Sequence, residues 1–526
     1  WCGRSRLYNC GRWYYLVRLR CRIGDGLMPL GTFKASILGA SASTGETYWA
    51  GLWYQERASG DYITLKPSHD LDASGNIVCV ACDNSNNPTG FTIDGGDTPS
   101  VTADSGGYFD SFPNWNGNGT VKVRADGKLA LGWASYAGGY VYYSLHTSSS
   151  DWSVASGFTP YYVNNPTYTG SASMYYSRAM DSWNNEDFLG AHNLHNSLQI
   201  TKPHVYKARS SGTSGNVTLE WEGNRAGNDE KYYDISLNSN SDMLWTTWHE
   251  ETGSSILPIQ FLGFDKDTSD PGDAGTTKKT LGASGYGFHN SRYTARSGYD
   301  TAGYLVSAIS WPNTAYGITV AKATSADDPE SLAWVRKIQF GSPAYTYSDS
   351  PRNCAQPVLD SAGNVYVAYR VKLLSPNKQC YIIASWENDG TFRWARTLMS
   401  EGSSNYQYTS EQQVVLSITD NDSLVFTGIT GITTSGTDHP AVLIARLPTD
   451  GSLTSSSPIQ PRGDSTANIY WMNDLTGNWA PTEAAGNLVA GSDTGEYFSA
   501  TTGTTTNLGT STTSNTRSFV QAEVTG

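Results

Sequence analysis

Along the chain, polar turns of Asp, Asn, Ser and Gly alternate with short runs in which apolar residues recur at every second position, the pattern of strands rather than helices. One such unit returns seven times: LDASGNIVCVA (71–81), VRADGKLALGWA (123–134), MDSWNNEDFLGA (180–191), LNSNSDMLWTTW (237–248), YDTAGYLVSAIS (299–310), LDSAGNVYVAYR (359–370) and ITDNDSLVFTGI (418–429). Aligned on the first apolar residue after the turn (Ile77, Leu129, Phe188, Met243, Leu305, Val365 and Leu424), the copies are spaced by 52, 59, 55, 62, 60 and 59 residues. Asp and Asn bond their own backbone and Gly takes positive φ, so each turn predicts a tight hairpin.

A further apolar strand follows six of the seven hairpins, at VYYSL (141–145), HVYKA (204–208), IQFLGF (259–264), ITVAKA (318–323), YIIASW (381–386) and VLIARL (442–447). Several of these lead through another turn to a Trp-bearing segment, as in NVTLEWEG (216–223), ESLAWVRKI (330–338) and ENDGTFRWARTL (387–398). About four strands per unit of about 58 residues is the content of one propeller blade. A blade has two apolar faces, and packing face to face around a ring covers both. The pattern therefore predicts an all-β chain, a seven-bladed β-propeller with about four antiparallel strands per blade over residues 41–455.

The third and fourth units depart from the pattern, with Glu186-Asp187 and Ser241-Asp242 where the turn Gly is expected. The early segment TYWAGLWYQ (47–55) resembles the Trp-bearing edge strands and is expected to close the ring beside 424–447. Residues 1–40 form a basic arm. The C-terminal segment, 456–526, is of low complexity from about 483, with ten Thr in its last 26 residues. Alone it has too little apolar surface to fold, and as Thr-rich extended chain it is expected to be ordered by adding strands to a neighbour.

Composition sharpens this picture. The 526 residues include 54 Gly, 33 Tyr and 17 Trp with only 16% charged residues, which suits many short strands joined by turns. A formal charge of −13 speaks against nucleic acid as a partner. Residues 1–34 nevertheless hold seven Lys or Arg and one acid. No apolar run reaches the length of a membrane span, and Arg interrupts the start where a signal peptide needs an apolar core, so neither membrane insertion nor secretion by that route is expected. Seven cysteines are too few for a disulfide-built scaffold. Cys79 and Cys82 lie three apart on a predicted strand and point to opposite faces, so they are expected to be packing residues.

The run from LDSAGNVYVAYR through YIIASW to NDGTFRWARTL resembles a seven-bladed propeller repeat in which an Asp-x-x-Gly-Asn-x-Tyr-Val hairpin precedes an apolar strand and a Gly-x-x-x-Trp edge strand. Versions with a closing element similar to ARLPTDGSL (445–453) occur in structural proteins of tailed phages from aquatic environments, and the same repeat occurs in bacterial surface and secreted proteins. The resemblance covers about residues 40–455. It implies a virion protein of the tail or tail fibre, an assembly platform or an adhesin for host-surface glycan, located on the extracellular particle. Its expected partners are other virion or surface subunits, including further copies of this chain. A bacterial extracellular adhesin or filament subunit, a capsid decoration protein and a sialidase-like glycan hydrolase are the alternatives.

Candidate chemistry adds little to this. Sialidase-like propellers repeat a Ser/Thr-x-Asp-x-Gly-x-x-Trp/Phe box, and the single match, TADSGGYF (102–109), is out of register with the blades. Histidines at HNLH (192–195) and HEE (249–251) lack metal-site spacing. The chain is accordingly expected not to be an enzyme and to need no cofactor. DKDTSDPGD (265–273) places oxygens at alternate positions, which makes Asp265, Asp267, Asp270 and Asp273 a calcium candidate, ahead of Asp70 and Asp72. Neither loop has Glu at its twelfth position. Aromatics in segments read as loops, Tyr108, Trp115, Tyr140, Tyr142, Tyr161 and Tyr162, offer flat amphipathic area for sugar rings or protein partners. Arg124, Arg178, Arg292 and Arg370 are expected not to converge on one site.

Overall fold

Four hairpin turns show how the repeated sequence makes the same local structure. In each, the fourth turn residue donates its N–H to the first carbonyl and the first N–H bonds the fifth carbonyl: Asp72–Asn76, Arg124–Lys128, Asp360–Asn364 and Thr419–Ser423. This is a type I turn closed by a left-handed residue. Gly75, Gly127 and Gly363 take that position with φ of 79°, 81° and 78°. Asp422 takes it in the last copy at φ 57°, and its carboxylate accepts bonds from the N–H and hydroxyl of Ser361 in the preceding hairpin.

The computed structural model describes strands within residues 48–524, and side-chain surroundings for parts of 48–152 and 320–451. The chain divides between Glu46 and Thr47, and every described strand lies in Thr47–Gly526. The described residues are all-β. They form seven open sheets and one two-stranded ribbon. Each sheet is built on one of the seven hairpins, and we number the sheets 1 to 7 in that order. Sheet 1 is a meander of Ser68–Leu71, Ile77–Cys82, Pro88–Ile93 and Val101–Asp104. Sheet 6 repeats it with Val358–Leu359, Val365–Leu373, Lys378–Trp386 and Phe392–Ser400. Sheets 3 and 4 form on the divergent hairpins as well, with Arg178–Ser182 beside Asp187–His195 and Ser236–Asn238 beside Met243–Glu251. In sheet 7, Val415–Ile418, Ser423–Thr434 and Thr437–Pro448 are followed by Tyr48–Gln55, in register from Trp49↔Arg446 to Tyr54↔Ala441. Residues from the two ends of the repeat region thus share one sheet.

The near-continuous apolar runs of sheet 7 follow from burial on both faces. Ala50, Leu52, Leu424, Phe426, Leu443 and Ala445 pack with Tyr366, Tyr381 and Ile383 of sheet 6. The alternate positions Trp49, Trp53, Val425, Val442 and Ile444 pack with Ile77, Cys79 and Phe91 of sheet 1. Trp53 stacks on Phe91 with ring centroids 4.1 Å apart, while Tyr381 meets Phe426 edge-on at 4.8 Å.

A second repeated device ties neighbouring sheets. On the fourth strand of sheet 5, Trp334 Nε1 donates to Asn388 O at 2.9 Å and Arg336 Nε to Gly390 O at 2.7 Å. On sheet 6, Trp394 Nε1 donates to Thr449 O at 3.0 Å and Arg396 Nε to Gly451 O at 2.9 Å. A Trp-x-Arg triplet thus clasps the x-Asp-Gly turn of the next sheet.

Candidate functional site

The first strands of sheets 1 and 2 bring polar groups together. Asp70 Oδ2 accepts the Val123 N–H at 2.8 Å, and Asp70 Oδ1 lies 3.7 Å from Lys122 Nζ. Both charged side chains keep partial access to solvent, 20% for Asp70 and 33% for Lys122, so they can still exchange water for a ligand's hydroxyls. Arg124, at the end of the same strand, is buried. Behind them His69 is buried and shares a hydrogen bond, through Nδ1, with Thr427 of sheet 7. Burial, reinforced by the nearby Lys122 charge, lowers its pKa from 6.5 to about 3, which keeps the imidazole neutral.

A second polar cluster surrounds the hairpin of sheet 6. Asp360 Oδ1 accepts the N–H groups of Ala362 and Asn364. Its Oδ2 accepts Asn364 Nδ2 and, at 2.7 Å, the Tyr366 hydroxyl, which itself accepts Arg393 Nη1 at 2.6 Å. Burial first, and then Asp360, raise the Tyr366 pKa against the opposing pull of Arg393. The phenol stays protonated, so the arrangement braces the turn and supplies no nucleophile. Asp72 makes the same turn bonds to Ser74, Asn76 N and Asn76 Nδ2, with Val78 where the other copy has Tyr366. Asp360→Ala should therefore cost about 2–4 kcal/mol and Asp72→Ala about 1–2 kcal/mol, because only the former also takes a carboxylate from a buried phenol and from the Arg393 guanidinium 4.0 Å away. Urea midpoints of the two variants check this. Equal losses would show that the Tyr366–Arg393 extension contributes nothing.

The tyrosines expected in loops stand on strands. Tyr140 and Tyr142 belong to Tyr140–His146, and Tyr161 and Tyr162 to Thr159–Asn164, the third and fourth strands of sheet 2. Trp133, Tyr142 and Tyr162 occupy one cross-strand row, with Tyr143 opposite Tyr161 in the next. Tyr108 lies in Gly107–Phe109, opposite Thr513. Asp265 ends a strand of sheet 4 opposite Met243. Asp267, Asp270, Asp273 and Trp115 lie outside the described residues, as does Arg292. Arg178 opens the first strand of sheet 3, and Arg370 stands opposite Tyr381 in sheet 6. Among the described residues no group of three or more His, Cys, Asp or Glu could hold a metal ion. Asp72, the other calcium candidate in part, spends its carboxylate on its own turn. Cys79 is a free, buried thiol whose pKa burial raises. Sequence reasoning did not single out Lys122, His69 or Thr427. The first-strand position of Ser68–Leu71 and Thr120–Val123 ahead of each hairpin was the available signal.

No family model matches the chain, and no curated protein matches it. Among solved structures, a mutant of the α-L-arabinofuranosidase Arb93A from Fusarium graminearum with an iminosugar inhibitor matches at 12% identity and a TM-score of 0.39, covering 76% of this chain and 98% of that one. The polysaccharide lyase Uly1 matches at 9% identity and a TM-score of 0.40, covering 77% and 99%. A mutant of the NanB sialidase from Streptococcus pneumoniae matches at 11% and 0.34, covering 75% and 70%. The expectation that the chain is not an enzyme is corrected: the matching structures are of glycan-active enzymes, the class of the sialidase-like hydrolase among the alternatives above. At such identities and scores, no residue role passes from them to this chain.

Proposed function

We propose that Thr47–Gly526 is a closed seven-bladed β-propeller that engages glycans near its axis, the phage tail or tail fibre being the setting that the repeat resemblance implies. The observation that carries the ring is the cyclic order of contacts. First strands touch in chain order from Ser68–Leu71 to Thr120–Val123, Arg178–Ser182, Ser236–Asn238, Ala295–Tyr299, Val358–Leu359 and Val415–Ile418, and the last touches Ser68–Leu71 again. The two-sided packing of sheet 7, against sheet 6 and sheet 1, supports the same closure.

A ring places seven first strands around one axis, and in this chain those of sheets 1 and 2 present a carboxylate and an ammonium with partial solvent access. Such alternating acceptors and donors suit the hydroxyl array of a sugar. The test presents the full chain with a glycan panel and, separately, with reporter glycosides and polysaccharides. Binding or turnover is expected, weakened about tenfold by Lys122→Gln, the equivalent of about 1.4 kcal/mol. Failure of the unaltered chain both to bind and to turn over any glycan would overturn the glycan reading. Cleavage of a substrate would make the chain a glycan-processing enzyme, and binding without cleavage an adhesin. Imaging of the particle that carries the chain tests the phage setting.

A further inference from the structure

After the last repeat, the chain adds strands to the edges of six of the seven sheets. Gln460–Pro461 lies in sheet 7. Ile469–Met472 then pairs with the fourth strand of sheet 6, Pro481–Thr482 with that of sheet 5, and Val489–Ala490 with Thr276–Gly282 of sheet 4. Phe498–Thr501 pairs with Asn216–Arg225 of sheet 3, and Thr504–Asn507 with Thr159–Asn164 of sheet 2. Thr512–Ser514 pairs with Gly107–Phe109, which follows sheet 1 in the chain. Arg517–Val524 finishes in sheet 7, along the whole of Tyr48–Gln55. Sheets 7, 6, 5, 4, 3 and 2 are visited in turn, then the ribbon strand Gly107–Phe109 that follows sheet 1, then sheet 7 again, the reverse of the order in which the repeats were laid down. The two ends of this path then pair with each other, Gln460↔Glu523 and Pro461↔Ala522.

We propose that residues 460–524 are a strap, wrapped once around the outer edges of the chain's own sheets and fastened to itself over Tyr48–Gln55. The inference rests on the ring reading and adds to it a specific occupant for the edges, a segment of the same molecule rather than a neighbouring subunit. Fourth strands with open outer edges would present unpaired N–H and C=O groups, a template for pairing with other chains. The strap pairs with the fourth strands of sheets 2 to 6. Its strands begin at 469, 481, 489, 498, 504, 512 and 517, intervals of 5 to 12 residues. At about 3.3 Å per extended residue, these steps reach about 15–40 Å, enough to pass from one sheet edge to the next. Thr-rich composition favours extended chain, and the scarcity of apolar residues leaves the segment no core of its own, so its order depends on the edges it meets. The pairings before the last involve only two to four residues each, whereas Tyr48↔Val524 to Gln55↔Arg517 joins eight. Short contacts linked in series hold through their high effective concentration, and the long final pairing is the fastening. Tyr48–Gln55 is held between Thr437–Pro448 and Arg517–Val524, so the same fastening retains the strand that joins the N-terminal side of the repeat region to sheet 7.

The test introduces a protease site between Thr454 and Ser455 of the full chain and cuts it after folding. The C-terminal fragment should co-elute with the remainder as a one-to-one particle under native conditions and separate only in denaturant. The double substitution Phe519→Pro with Val520→Pro, which removes two consecutive N–H donors facing opposite edges of the last strand, should release the cut fragment. Ready separation of the unsubstituted fragment would overturn the proposal, and so would exchange of fragments into particles of two or more copies. Hydrogen exchange on the unmodified chain gives an independent reading if the insertion prevents folding. Amides in 498–501, 504–507 and 517–524 should exchange at least about tenfold slower than unprotected chain, and unprotected rates there would equally overturn it. Top-view images of the cut particle separate the two levels of inference. Seven sectors with a freely released fragment would remove the strap alone, whereas any other sector count would remove the ring.

Discussion

Trp394→Ala is expected to lower the unfolding free energy by about 3–5 kcal/mol, read as a shift of the urea midpoint. The indole is 5% exposed and belongs to the cluster that joins sheets 6 and 7. Its ring lies over Gly451, where an added Cβ would come within 2.7 Å of Trp394 Cδ2, and its Nε1 donates to Thr449 O. Truncation therefore opens a cavity, removes one of the two donors to Thr449 O, and strips the surface on which the Arg396 guanidinium sits 5.7 Å from the ring centroid. Trp394→Phe keeps most of the packing and loses the hydrogen bond, so about 1–2 kcal/mol is expected. Gly451→Ala approaches the same contact from the other side. At φ 68° the new side chain is strained in its own backbone and pushed into the indole. If Trp394→Ala and Gly451→Ala proved strongly additive, the two residues would not be acting as one contact. Trp334, over Gly390, should repeat the pattern one sheet earlier.

The clasp also shows where the sequence was readable. Trp-Val-Arg at 334–336 and Trp-Ala-Arg at 394–396 stand 54 and 55 residues ahead of Asn-Asp-Gly at 388–390 and Thr-Asp-Gly at 449–451, so both halves of the contact are visible as a spaced pair. The hairpins were readable for a related reason. Asp or Thr at the first position of three of the four turns, and Gly or Asp at the fourth position of all of them, satisfy the backbone locally, without help from the rest of the chain. The strand character of 140–146 and 159–164 was not, since closely spaced Tyr, Pro and Gly read as loop until cross-strand register is known. The strap was least legible. Two-residue pairings leave no alternation to detect, and the partner of each lies on a distant strand, so composition alone suggested a neighbouring molecule where the strands pair with the chain's own sheets. The polar site was hidden for a simpler reason. Asp70 and Lys122 become neighbours only because two first strands 53 residues apart lie side by side, and their shared place ahead of a hairpin is the one sign of that in the sequence.

His69 should make the protein lose stability in acid in a way that His69→Gln abolishes. Its folded pKa is lowered from 6.5 to about 3, by burial first and by the Lys122 charge second. Between those values the unfolded chain carries the extra proton and the folded one does not, so unfolding takes up a proton and stability rises with pH. The contribution is fully present above about pH 6.5. It falls by about 1.4 kcal/mol for each unit below that, until protonation of the folded state near pH 3 ends the decline. At pH 4 the accumulated loss is about 3 kcal/mol, a large part of the stability of an ordinary domain. Gln keeps a polar group opposite Thr427 and cannot titrate, so the substitution should cost a little at pH 7 and become favourable relative to His by pH 4. Carboxylates add their own acid dependence to both proteins, and taking the difference between their unfolding free energies at each pH removes that shared part. A difference that stays constant from pH 7 to pH 4 would mean that the imidazole is protonated in the folded state. The interface between sheets 7 and 1 would then be wet, which is incompatible with burial of His69 against Thr427.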